Sequence, residues 1–169
     1  LKKTQIIKKN NDSNTILLML TSTHLKEESL LLPMIKKLLE EHRDLHIIIA
    51  PRHVERSKDI HSLCSSFNLK SQLLSEKNDD SNKILIIDSY GILSNYFNIS
   101  DIVFIGGSII KHGGQNPIEP ARHGCSVIHG PNVDNFKEIY KLLKNLRISR
   151  MITSETSLIK NVNQLIKHR

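Results

Sequence analysis

Short apolar runs alternate along the chain with longer stretches whose apolar residues recur every three or four positions. The runs at 15–21, 45–50, 69–75, 83–88, 102–105, 126–129 and 148–153 predict strands. Most are continuously apolar rather than alternating, the pattern of strands covered on both faces. Helical spacing appears at 27–42 (Leu31, Ile35, Leu38, Leu39) and 91–98 (Ile92, Leu93, Tyr96, Phe97). It recurs at 133–146 (Phe136, Ile139, Tyr140, Leu143), and shorter helices fit 60–67 and 157–167. Pro33 falls in the first turns of its helix, where proline is tolerated. Residues 1–14 read as a linker or the end of an interdomain segment, 76–83 as a polar loop, and 15–169 as one domain. Strands that alternate with helices predict an α/β fold, a doubly wound parallel sheet with helices on both faces.

Such sheets bind ligands beyond the carboxyl ends of their strands. The unusual residues collect at those predicted ends: Ser22, Thr23 and His24; Pro51, Arg52 and His53; Ser89, Tyr90 and Gly91; Gly106 and Gly107; Gly130, Pro131 and Asn132. One shared cleft is the geometric expectation. The stretch 101–121 is the richest of these. A buried-type strand runs into Gly106-Gly107, then Gly113-Gly114, then Asn116 as N-cap, Pro117 as first helical residue and Glu119 three positions after the cap. Glycines let backbone approach a phosphate, a helix start offers unpaired N–H groups, Lys111 adds charge, and Glu119 suits ribose hydroxyls. The same residues also fit a plain glycine turn followed by a capping box, with Glu119 bonding its own helix end.

Composition narrows the partners. With 24 basic against 17 acidic residues among 169, the formal charge is +7, which favours anionic ligands. Aromatics are only 4%, and no Arg/aromatic face is dense enough to stack bases, so nucleic acid is disfavoured. No run reaches the roughly 20 apolar residues of a membrane span. Cys64 and Cys125 lack metal spacing and read as buried free thiols. The histidines form no HxxxH or HxH pair, so no metal is expected. The chain starts without Met or a signal peptide and reads as part of something longer.

The ordered motifs Ser-Thr-His-x-x-Glu-Glu (22–28), Pro-Arg-His-x-Glu-Arg (51–56) and Asp-x-x-Gly-x-Leu (88–93) carry a resemblance. So do Ser-Asp-x-x-Phe-x-Gly-Gly-Ser (100–108), Gly-Gly-x-Asn-Pro-x-Glu-Pro-Ala (113–121) and Gly-Pro-x-x-x-Asn-Phe (130–136). From about residue 15 to about 146 the chain resembles the carboxyl-terminal domain of the 3-deoxy-D-manno-octulosonic acid (Kdo) transferases of lipopolysaccharide synthesis. The resemblance implies a Rossmann-like half of a two-domain glycosyltransferase of the GT-B type. It implies a CMP-Kdo donor site on Pro51, Arg52, Gly91, Ile92, Leu93, Asn116, Pro117, Ile118 and Glu119, with no cofactor and no metal. The acceptor, a lipid A precursor, the catalytic Glu base and the membrane association belong to an amino-terminal domain that this chain does not contain. The whole enzyme would then work at the cytoplasmic face of the bacterial inner membrane, while this fragment is soluble and inactive alone. Leu1-Lys2 resembles the end of an Asn-Leu-Lys element in that family. Lys26 stands where the family has Gly, Ile92 where it has Glu, and Gln115 where it has His.

Two other functions fit the same architecture: an enzyme using a UDP-sugar, and a nucleotide-binding module without catalysis. A dinucleotide dehydrogenase is disfavoured, since no glycine fingerprint follows the first strand. For single residues, His24 and His53 suit hydrogen-bonded scaffold better than acid–base roles. Arg56 suits an ion pair or a phosphate contact, Tyr96 and Phe97 suit the core, and Asn135 and Phe136 suit a turn.

Overall fold

The computed structural model describes residues 14–76, 79 and 81–168. The expected linker lies outside them except for Asn14, as does Leu1-Lys2. Among the described residues seven strands form one parallel sheet: β1 (Ile16–Thr23), β2 (Leu45–Pro51), β3 (Ser71–Leu73), β4 (Ile84–Ile86), β5 (Ile102–Ile105), β6 (Ser126–His129) and β7 (Ser149–Met151). Their spatial order is β3-β4-β2-β1-β5-β6-β7. The chain winds outward from β1 in one direction through β2, then returns to the other side of β1 at β5. The strand order therefore reverses between β1 and β5, where folds of this kind open a crevice.

Among the described residues six α-helices flank the sheet, five between strands and the last after β7: α1 (Glu27–Glu41), α2 (Ser57–Ser66), α3 (Leu93–Phe97), α4 (Ile118–Arg122), α5 (Lys137–Asn145) and α6 (Glu155–Lys167). Successive side chains of a strand point to opposite faces, and β1 divides accordingly. Leu18 and Leu20 pack with Leu31, Ile35 and Leu38 of α1, Ile60 of α2, and Leu158 and Val162 of α6. Leu17 and Met19 pack on the other face with Tyr96 and Phe97 of α3 and Tyr140 of α5. Two apolar layers covered by helices on both sides explain the continuous apolar strands. Cys64 and Cys125 are buried and unpaired, and burial pushes both thiols up to about 11.

Several elements are shorter than their sequence pattern. The run 69–75 pairs only as Ser71–Leu73, and 148–153 only as Ser149–Met151, because each is an edge strand with a single neighbour. Pro33 is the seventh residue of α1, in its second turn. The carbonyl of Ser29 loses its helical partner there, and Ser29 is exposed to water. Among the described residues no helix is long and apolar enough to cross a membrane.

Candidate functional site

The reversal point is built on two adjacent buried carboxylates at the start of α1. Glu27 is 0% and Glu28 1% exposed, unusual for carboxylates unless they are paired or hydrogen-bonded. Glu27 Oε2 accepts from the Gly107 amide at 2.7 Å and the His24 amide at 3.0 Å. Its Oε1 accepts from the Ser108 and Ile109 amides, each at 3.1 Å. Glu28 accepts a two-pronged bond from the Arg56 guanidinium, at 3.0 and 2.7 Å. Arg56 also reaches the Thr23 carbonyl at 3.4 Å. The two readings of Arg56 are thus resolved in favour of an ion pair, largely enclosed by the fold.

Glu27 changes the reading of the glycine stretch. The amides of 107–109 form an anion-binding concavity, but a side chain of the same protein fills it. The neighbouring amides are also committed: Gly106 N–H donates to the Thr21 carbonyl and Gly114 N–H to the Gly107 carbonyl, each at 2.8 Å. Gly106 is needed for close packing, because a Cβ there would lie 2.2 Å from the Ser22 carbonyl oxygen. Gly113 is needed because a Cβ would meet the Asn135 amide at 2.5 Å. That side chain donates to the carbonyls of His112 and Gly114, at 3.2 and 3.4 Å, so Asn135 holds the loop as the sequence suggests.

The helix start also differs from the expected cap. α4 begins at Ile118, not Pro117, and is five residues long. Asn116 Oδ1 accepts from the Ile118 amide at 3.0 Å, two residues on, a local turn bond rather than an N-cap bond. Glu119 makes no capping box, and its carboxylate has no hydrogen-bond partner among the described residues. With Pro117 lacking an N–H and Ile118 N–H occupied, few backbone donors ahead of this helix are left for a ligand.

Side chains take their place. A pocket of about 180 Å³ opens between the ends of β1 and β5, lined by Thr21, Ser22, Arg52, Leu93, Gln115 and Glu119, with Phe97, Ile105, Asn116 and Pro120 completing it. Asn116 and Glu119 also line an adjoining hollow of about 530 Å³ with Ser94, Ile118, Arg122 and His123. Arg52, Leu93, Asn116 and Glu119, expected from the sequence, therefore share one pocket, and Ile118 lies in the adjoining hollow. Pro51, Gly91, Ile92 and Pro117 flank these residues without lining either space. Pro51 ends β2 and is buried, while Gly91 is exposed with φ +78°. Six lining residues stand outside the sequence-based site assignment: Ser22, Phe97, Ile105, Gln115, Pro120 and Thr21, whose Oγ1 is buried with no partner among the described residues. A larger cavity, about 650 Å³, is lined by Asn14, Ile16, Glu41, His42, Arg43, Asp44 and Ile166. It lies at the amino ends of β1 and β2, away from the crevice.

Beside the pocket, His24 stacks on His112 with ring centroids 3.9 Å apart, and its Nε2 is 3.0 Å from Gln115 Nε2. Burial holds the His24 imidazole below its ordinary value, and His112, His53, Arg52 and Arg56 push the same way.

No protein-family model matches the chain. The 3-deoxy-D-manno-octulosonic acid transferase of Haemophilus influenzae is 36% identical over 124 residues, 72% of this chain and 29% of that protein. The same-named protein of Rickettsia felis is 38% identical over 130 residues, 76% of this chain and 28% of that protein. The chain thus spans under a third of the length of these relatives. Among solved structures, the C-terminal CMP-Kdo binding domain of WaaA from Acinetobacter baumannii superposes with a TM-score of 0.84 at 24% identity, covering 98% of this chain and 86% of that one. The sequence relatives, joined to a fold that superposes on a single domain, place this chain in the 3-deoxy-D-manno-octulosonic acid transferase family, as a part corresponding to one domain of its members.

Proposed function

We propose that this chain is the donor-binding domain of a Kdo transferase, and that its crevice holds the nucleotide of CMP-Kdo. The observation that carries the reading is the convergence of Arg52, Asn116 and Glu119, from segments far apart in sequence, on one pocket at the reversal of strand order. Each has the chemistry the donor needs. Glu119 offers an uncommitted carboxylate to the two ribose hydroxyls. Arg52 is exposed and offers a planar fork to the phosphate. Asn116 keeps its side-chain N–H donors free, since only its Oδ1 is used by the Ile118 amide. Pro51, Gly91, Ile92, Leu93, Pro117 and Ile118 supply the walls and turns around these three. No metal enters the reading.

In the whole protein, an acceptor hydroxyl on a lipid A precursor loses its proton to a carboxylate base of the other domain. Its oxygen bonds to the anomeric carbon of Kdo as the carbon–oxygen bond to CMP breaks. CMP leaves with the bonding pair, and Arg52 stabilises the charge on its phosphate. The membrane-bound acceptor and the base belong to the part of the protein outside residues 15–169, so this chain binds donor but transfers nothing alone.

Calorimetric titration with CMP, UMP, UDP and inorganic phosphate tests the reading. CMP binds saturably and more tightly than the other three. Glu119→Ala weakens CMP by about tenfold or more, since hydrogen bonds to a charged group are worth about 1.5–3 kcal/mol, yet leaves phosphate binding unchanged. Equal loss for CMP and phosphate, or tighter binding of UDP, refutes it.

A further inference from the structure

Two neighbouring turns at the rim of the crevice each carry an apolar residue followed by a lysine, and nucleotide binding uses neither pair. The first pair is Leu25-Lys26, between β1 and α1. The Glu27 amide donates to the His24 carbonyl at 3.0 Å and closes this turn. Lys26, with φ +78° and ψ −18°, takes the position of a type II turn that glycine fills most easily. The second pair is Ile110-Lys111, in the glycine loop. The two turns are joined at both ends. The Glu27 carboxylate accepts from the Ile109 amide at 3.1 Å, and the His24 ring stacks on the His112 ring at 3.9 Å. Leu25 and Lys26 lie between His24 and Glu27, and Ile110 and Lys111 lie between Ile109 and His112. The two tips therefore stand side by side, past the carboxyl ends of β1 and β5.

This surface is apolar and basic at once. Leu25 is 68% exposed, and Leu30, about one turn along α1 from Lys26, is 47% exposed. Ile110 is half-buried, and both lysines are exposed. The carboxylates of these segments do not neutralise them. Glu27 and Glu28 are buried and committed, and residues 102–118 include no acid. Glu55, after β2, accepts from the Tyr90 hydroxyl at 3.1 and 3.2 Å. Tyr90 follows β4, which lies across β2 from β1. A side chain at φ +78° costs stability relative to glycine, and strain of that kind collects at functional positions. What Lys26 adds over glycine is a cation on a long apolar stem.

Lysine is depleted in the interfaces between proteins. A lysine beside an exposed leucine suits a bilayer instead. The apolar side chain enters the headgroup boundary, and the stem carries its ammonium to lipid phosphate. We propose that Leu25-Lys26 and Ile110-Lys111, with Leu30, form a docking surface for an anionic phospholipid bilayer, separate from any membrane contact made by the rest of the protein. Its purpose rests on the donor-binding reading above: docking these tips sets the rim of the donor crevice against the surface that presents a lipid acceptor.

Co-sedimentation of the chain with phosphatidylcholine vesicles, with and without phosphatidylglycerol, tests this surface. The chain binds the vesicles that contain phosphatidylglycerol, and salt weakens the binding. Lys26→Gly and Lys111→Gln each lower the partition coefficient about fivefold. Leu25→Ser lowers it about tenfold, and CMP affinity is unchanged in all three. Lys26→Gly gains resistance to urea while it loses vesicle binding, an opposition that damage to the fold does not produce. Lys141→Gln removes an exposed lysine from α5, on the other face of the sheet from α1, and leaves vesicle binding unchanged. The chain has no tryptophan, so Leu25→Trp gives a direct optical readout: its emission shifts to the blue on phosphatidylglycerol vesicles.

No binding to these vesicles, an unshifted Leu25→Trp emission, or equal losses in Lys141→Gln and Lys26→Gly overturns the surface. A dimer in analytical ultracentrifugation that Leu25→Ser dissociates makes the face an interface between copies and overturns it as well. CMP titration of the same chain separates this proposal from the one it rests on. Lost CMP binding with vesicle binding intact overturns the nucleotide pocket alone, and lost vesicle binding with CMP binding intact overturns the surface alone.

Discussion

Replacing Glu27 by Ala removes one side chain and strands four backbone donors. The amides of His24, Gly107, Ser108 and Ile109 lose acceptors at 3.0, 2.7, 3.1 and 3.1 Å. An unsatisfied buried donor costs about 1–3 kcal/mol, so four sum to about 4–12 kcal/mol before relief. Two effects reduce that. The carboxylate no longer needs desolvation, which recovers several kcal/mol, and a water entering the vacated space can accept from two of the amides. The net expectation is a loss of about 3–5 kcal/mol, a large share of the ~5–15 kcal/mol that holds a domain folded. Glu27→Gln separates shape from charge. It fills the same space, but its amide nitrogen faces N–H donors and can accept none of them, so it recovers less than half of the loss. Urea unfolding followed by circular dichroism measures both, with an unchanged slope confirming that the same surface unfolds. A further signature follows from the vacated concavity: millimolar phosphate or sulfate raises the midpoint of Glu27→Ala and not that of the unmodified chain. A loss below about 1 kcal/mol, or equal stability of the Ala and Gln variants, would refute the argument that these amides depend on Glu27.

Other substitutions probe the same frame. Arg56→Ala leaves Glu28 buried without its cation and costs about 3–5 kcal/mol; in a double-mutant cycle, removing Glu28 as well restores part of it, and additive losses would deny the pairing. Lys26 has φ +78°, where a side chain costs about 1–2 kcal/mol against about 0.5–1 kcal/mol of extra entropy for glycine, so Lys26→Gly raises stability by about 0.5 kcal/mol in the same urea assay. His24, His46 and His129 are all held below their ordinary value, by burial first and then by neighbouring cations for His24, Lys83 for His46 and Lys144 for His129. Their neutral forms suit the fold, so the stability they contribute is present above about pH 6.5 and is lost as pH falls below it; urea midpoints measured from about pH 8 to about pH 5 should fall across that window, and fall less in His129→Gln.

The sheet was legible because burial on both faces leaves a continuous apolar signature, and 102–105 and 126–129 matched β5 and β6 residue for residue. Edge strands carry less of that signature, and β3 and β7 came out short. The gathering of Arg52, Asn116 and Glu119 was legible for a topological reason: in a parallel sheet, residues just past each strand must lie at one end. The fate of the glycine-loop amides was not legible. Nothing in the spacing of Gly106 and Gly107 tells whether their amides meet a ligand or a carboxylate 80 residues earlier in the chain. Glu27 and Glu28 stand in the first turn of α1, where acids are common for the helix dipole alone. Two adjacent carboxylates ahead of Leu31 and Leu32 were a usable signal, because the first turn of a helix lying over a sheet end leaves at least one of them inside.

Glu27 and Glu28 divide the support of the pocket between them. One ties the loop after β5 to the end of β1; the other, through Arg56, ties the segment after β2 to the same place. The end of β1 that carries Ser22 and the loops that carry Arg52 and Gln115 are thus fixed from beneath by groups that do not line the pocket. The side chains of Arg52 and Glu119, which face it, do not hold the frame: Arg52 is exposed and the Glu119 carboxylate is uncommitted among the described residues. Stability and affinity should therefore separate by position. Changes at Glu27, Glu28 or Arg56 lower both, since the walls move when their ties are cut. Changes at Arg52 or Glu119 lower ligand affinity and leave the free energy of urea unfolding within about 0.5 kcal/mol of the original, the usual range for surface positions. Measuring both quantities on all five variants would break this division of labour if Arg52→Ala or Glu119→Ala unfolds as readily as Arg56→Ala.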